Sequence, residues 1–160
     1  MWQRAFIPVL LVATLAGCGF QLRGSAELPF ESLYIEGGQE IAVSLQRAIR
    51  PTATKVTAEA KQAQAILQIT DESREKRILS LDRAGRVSEF RLFYRVGFKV
   101  RDNQGRALMN DQLVELTREI TFNDAQTLAK ESEEALLYRD MQNDAVQQIV
   151  RRLSAARPAL

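Results

Sequence analysis

At 160 residues the chain holds enough material for one well-packed domain, and 46% hydrophobic against 26% charged residues is an ordinary globular balance, which excludes wholesale disorder. A net charge of +2, from 22 basic and 20 acidic residues, provides no bulk field for capturing nucleic acid. Histidine is absent and cysteine occurs once, so the usual general base, the thiolate metal sites and any disulfide are all removed, and no cofactor is expected.

The N-terminus opens on a positively tipped segment, Met1 to Arg4, followed by an apolar run from Ala5 to Ala16. That run is too short to span a bilayer and has the form of a secretory signal. It leads into Leu15-Ala16-Gly17-Cys18, where small residues before the cysteine admit a peptidase and the thiol can be alkylated with a diacylglyceryl group. Residues 1–17 are therefore expected to be a lipoprotein signal peptide and Cys18 the lipidated first residue of the mature chain. Residues 18–27 would form a tether and 28–157 a single α+β domain. One acyl chain holds a protein to a membrane only marginally, so stable anchoring requires Cys18 to carry several.

Ordered structure is expected from Leu28-Pro29-Phe30, the proline favouring extended backbone around it. Leu33-Tyr34-Ile35 reads as a brief strand ended by Gly37-Gly38. Ile41, Leu45, Ala48 and Ile49 then share one face of a short helix that Pro51 stops. Residues 52–64 carry only faint signals: a short strand at Lys55-Val56-Thr57 and a helical turn or loop over Glu59 to Gln64. Ala65, Leu67 and Ile69 alternate with polar neighbours as a strand does, resuming at Ile78 to Leu81 beyond a charged interruption from Asp71 to Arg77. Asp82-Arg83-Ala84-Gly85-Arg86 has the composition of a turn.

The clearest periodicity follows. Phe90, Leu92, Tyr94, Val96, Phe98 and Val100 alternate with Arg91, Arg95, Lys99 and Arg101, predicting a long half-buried strand. Asp102-Asn103-Gln104-Gly105 is a hairpin turn, and the return strand has Val114, Leu116, Ile120 and Phe122 on its apolar face, interrupted by Arg118. From about Asp124 to Leu153 the chain predicts one long helix. Its stripe is Leu137, Met141, Ala145, Ile149 and Leu153, widened by Tyr138, Val146 and Val150. Pro158 bars continuation. The element count predicts an α+β, two-layer sandwich: a mainly antiparallel or mixed sheet of about four strands with both helices on one face.

Three clusters invite a chemical reading. The odd face of the long strand is basic around Phe93, suited to phosphate or carboxylate, although such a face is ordinarily solvated surface. Arg83 and Arg86 flank Gly85 at a turn where cations and free N–H groups can meet phosphate. Lys130 stands in the early turns of the last helix, where a cation is disfavoured by the dipole and an exposed pairing with Glu134 is expected. Glu131, Glu133 and Glu134, with no histidine or cysteine partner, read as a solvated helix face rather than catalytic carboxylates.

The order of these features resembles a known family. Cys18-Gly19-Phe20-Gln21-Leu22-Arg23-Gly24 after the lipobox, the strand and helix, the long hairpin, and Leu128-Ala129-Lys130-Glu131 with Tyr138-Arg139-Asp140-Met141 in the terminal helix resemble the LPS-assembly lipoproteins LptE of Gram-negative bacteria. The resemblance implies a non-catalytic lipoprotein on the periplasmic side of the outer membrane. It implies a partner, the large outer-membrane β-barrel LPS-assembly protein, whose lumen the domain plugs and whose assembly it assists. It implies lipopolysaccharide as the ligand, with Arg83, Arg86 and Lys130 as phosphate contacts. Gly19 after the lipidated cysteine is compatible with sorting to the outer membrane. The alternative is a periplasmic accessory lipoprotein of an ABC-type transporter.

Overall fold

The computed structural model describes residues 27–123 and 126–156. The expectations for the signal, for Cys18 and its flanking residues, for a helix start at Asp124 and for the stop at Pro158 lie outside the described residues. Strand β1 (Ser32–Glu36) leads into helix α1 (Gln39–Ile49), strand β2 (Lys55–Val56), a single 3-10 turn (Ala60–Gln62), the long strands β3 (Ala65–Leu81), β4 (Val87–Asp102) and β5 (Ala107–Thr121), and helix α2 (Thr127–Ser154). The sheet order is β2-β1-β3-β4-β5, with β1 parallel to both neighbours and the three long strands antiparallel. This is the expected α+β sandwich, with five strands rather than about four because the faint signal at Lys55 proves to be an edge strand. No helix among the described residues is long and apolar enough to cross a membrane.

The core forms where sequence periods meet. Leu92, Tyr94, Val96, Phe98 and Val100 of β4 are all buried, as their alternation requires. Ile41, Leu45 and Ile49 of α1 and Met141, Ala145, Ile149 and Leu153 of α2 are fully buried against them, each helix offering its apolar stripe to the same cluster. Burying each large side chain contributes about 1.5–3 kcal/mol. The middle of the sheet under the last four turns of α2 is thus the dry part of the molecule.

The charged run from Asp71 to Arg77 does not interrupt β3, correcting the expectation from the sequence. The strand is continuous, and a bulge between Ile69 and Asp71 admits one extra residue. Before the bulge Leu67 and Ile69 pair with Val100 and Phe98; after it Glu72, Arg74 and Lys76 pair with Val96, Tyr94 and Leu92. The face that packs under the helices therefore changes from apolar to charged along one strand. Accordingly α2 is seated unevenly: its last turns are buried, while Leu128 is 80% exposed and Leu136 largely so.

Candidate functional site

The two cations of the β3–β4 turn differ in what holds them. Asp82 Oδ1 accepts the backbone N–H groups of Ala84 and Arg86, at 2.8 and 3.0 Å, and its Oδ2 accepts Arg86 Nε at 2.9 Å. The β4–β5 turn repeats this arrangement with Asp102, Gln104 and Arg106, at 2.9, 2.8 and 2.6 Å. Both turns read Asp-x-x-Gly-Arg, and Gly85 and Gly105 both occupy positive φ, 78° and 88°, which glycine adopts without steric cost. Arg86, like Arg106, is thus engaged in closing its own turn. Arg83 is exposed and makes no ion pair among the described residues. The N–H donor from Arg86 holds the Asp82 carboxyl below its ordinary range, assisted by the Arg86 guanidinium.

Lys130 is placed differently from the expectation. Its side chain is only 17% exposed, and its ammonium donates to Glu133 Oε2 at 2.9 Å and to Thr121 Oγ1 at 3.1 Å. Glu134, the expected partner, instead accepts Lys76 Nζ at 2.6 Å. Lys130 therefore fastens the first turns of α2 to the end of β5. Thr121 lies opposite Glu89, three residues along β4 from Arg86, so Lys130 and the Arg83 turn stand at the same end of the sheet, about 10 Å apart along the strand. Beneath these turns of α2 is a hollow of about 210 Å³ floored by Phe90, Ile120 and Phe122, with Lys76 and Lys130 at its mouth. Lys76 Nζ sits 4.2 Å from the centroid of the Phe90 ring, which in turn meets Phe122 edge to face.

Sequence reasoning missed the charged row that lies under the helices. Arg74 pairs with Glu40 at the start of α1 and lies over the rings of Tyr94 and Tyr138, 5.8 and 5.5 Å from their centroids. The buried Tyr94 hydroxyl donates to Glu72 Oε1 at 2.7 Å. Burial first, and this bond second, push the phenol well above its ordinary range. Glu72 Oε2 also faces the N–H of Ile41, at 3.5 Å, at a helix start where Gly38 supplies no side-chain cap. A signal was present: Glu72, Arg74, Lys76 and Ile78 keep the period of two, one residue out of phase with Ile69.

The basic outer face of β4 is matched by its neighbours. Arg91 pairs with Glu119 at 2.7 Å, Arg95 with Glu115 at 2.6 Å, and Arg101 with Glu36 at 3.1 Å. Phe93 is flanked by the guanidinium groups of Arg77 and Arg95, at 4.8 and 5.4 Å. Cross-strand acids thus offset three of the four cations of the row, Lys99 making no ion pair among the described residues, and this face is the solvated surface that such a pattern ordinarily makes. Among the described residues no cluster of three histidine, cysteine or acidic side chains is placed to hold a metal.

Comparison with known proteins agrees with this architecture. The model of the family "LptE: Lipopolysaccharide-assembly" matches residues 29–153, a span that takes in every strand and nearly all of α2. The chain is 31% identical to the LPS-assembly lipoprotein LptE of Yersinia enterocolitica, the match covering 90% of this chain and 72% of that one. It is 27% identical to the protein of the same name from Photorhabdus laumondii, over 90% and 81% of the two chains. Among solved structures, lipoprotein B from Nitrosomonas europaea is 50% identical with a TM-score of 0.75, covering 86% of this chain and 91% of that one. Rare lipoprotein B from Shewanella oneidensis shares the fold at 24% identity, with a TM-score of 0.68 over 78% and 94% of the chains.

Proposed function

Because the chain belongs to the LptE family of lipopolysaccharide-assembly lipoproteins, we propose that it is a non-catalytic lipoprotein anchored through Cys18 in the outer membrane, with its domain on the periplasmic side. There it plugs and helps assemble the β-barrel that delivers lipopolysaccharide to the outer leaflet, and it binds lipopolysaccharide at the end of the sheet formed by the β3–β4 turn and the start of α2. The observation that carries this reading is the family match across residues 29–153, which spans every described strand and nearly all of α2.

The chemistry of that end of the sheet suits an amphiphilic anion. Arg83 offers a guanidinium with no ion pair among the described residues, whose forked donors fit phosphate oxygens. Ile78 and Leu81 beside the turn are 60% and 56% exposed, apolar surface next to charge. Arg86 and Lys130 are the other two proposed contacts, and phosphate would compete there with Asp82 and with Glu133.

Native extraction of the lipoprotein from outer membranes, followed by identification of what accompanies it, tests the partner. A much larger barrel should co-purify, and recovery as a lone chain overturns the plug. For the ligand, Arg83→Asp should weaken lipopolysaccharide capture by the purified protein several-fold and leave thermal stability unchanged, since Arg83 makes no ion pair among the described residues. Unchanged capture returns Arg83 to ordinary surface. Lys130→Asp is a less clean probe, because it also unfastens α2.

A further inference from the structure

The sheet has two free edges among the described residues, and they are unequal. β2 is two residues long, whereas β5 runs for fifteen, about 50 Å of strand. Phe122 N–H donates to Ser88 O, so from Gln112 to Ile120 the even-numbered residues of β5 turn their backbone groups to β4 and the odd-numbered ones turn theirs outward, whereas between Gln112 and Ala107 the register shifts twice. A long row of unpaired N–H and C=O groups is a template for another strand.

Two arginines occupy that row. Arg152, near the end of α2, donates from Nη1 to the outward carbonyl of Leu113 at 2.9 Å and to Gln112 Oε1 at 3.3 Å. Arg118 donates from Nη1 to the outward carbonyl of Thr117 at 2.9 Å, while its Nη2 is held by Asp144 of α2 at 2.8 Å. Both guanidinium groups are thus positioned by the same helix. They cap carbonyls four residues apart, which leaves no uncapped run in the middle of the edge long enough for a regular ladder. We propose that Arg118 and Arg152 keep the chain single by denying β5 to the β5 edge of a second copy. The second copy is the fitting occupant because β5 is the one long free edge among the described residues, and the same strand related by a twofold axis matches it in length and in antiparallel sense.

The test compares the full-length lipoprotein in mild detergent with its Arg118→Gln/Arg152→Gln variant by sedimentation over a wide concentration range. Wild type should remain single, while the variant should associate into dimers at least about tenfold more tightly. Adding Glu115→Pro, which removes an outward N–H on an edge strand that tolerates proline, should restore the single state. A variant as monomeric as wild type, a dimer indifferent to the proline, or a wild type already paired each overturns the proposal. Should the double variant lose its circular dichroism, the two single substitutions decide: each should shift association in the same direction, and two single variants that behave as wild type overturn it.

Discussion

Asp82 and Asp102 each gather two backbone N–H groups and one guanidinium, and the resulting pH dependence has a definite sign. Their carboxyls titrate below the ordinary value of 3.8 in the folded chain. At Asp102 burial opposes this, and the bonds from Arg106 outweigh it. A carboxyl depressed by folding contributes its stability above the unfolded value and loses it as pH falls through the folded one. Amide protection at Ala84, Arg86, Gln104 and Arg106, taken relative to the intrinsic exchange rate at each pH, should therefore be high near neutrality and fall together below about pH 4. Protection that stays constant through that range would mean the aspartates do not hold the turns. The Asp-x-x-Gly-Arg pattern stood in the sequence twice, so this much of the site was legible. The fate of Lys130 was not, because its choice of Glu133 over Glu134 depends on Lys76, which arrives from a strand more than fifty residues earlier.

Among the elements, β4 and α1 could be foreseen because their periods are unbroken, whereas β3 could not. A single extra residue at its bulge reverses which side chains face inward. The seven residues from Asp71 to Arg77, six of them charged, then look like a gap, although all of them lie within the strand. The uneven seating of α2 follows from that reversal. Met141, fully buried in the dry half, should cost about 2–5 kcal/mol when cut to alanine, whereas Leu128→Ala in the first turn should stay within about 0.5 kcal/mol. Denaturant melts of the two variants measure the contrast. Equal losses would show that the first turn packs as closely as the last.

On the scale of the whole molecule, the sheet carries its apolar load in the centre and under the last turns of α2, and its polar contacts toward the β3–β4 turn. Carboxylates on other strands pair with Arg91, Arg95 and Arg101 of the outer face, while Lys99 in the same row makes no ion pair among the described residues. The family match, residues 29–153, covers nearly the same span as the described strands and helices, which run from Ser32 to Ser154. The proposed lipopolysaccharide contacts at one end of the sheet and the proposed guarding of the β5 edge rest on different side chains, so either can fail experimentally without the other.

The matching geometry of the two turns makes their middle residues interchangeable. Exchanging Arg83-Ala84 for Asn103-Gln104 would carry the Arg83 guanidinium to the opposite end of β4 while leaving composition, net charge and both aspartate clamps as they were. If lipopolysaccharide capture depends on where that cation stands, the transplanted chain should bind as weakly as Arg83→Asp with an unchanged melting temperature. Capture equal to wild type would show that only the number of cations matters. The fold thus contains its own control, a socket at each end that accepts the other's contents.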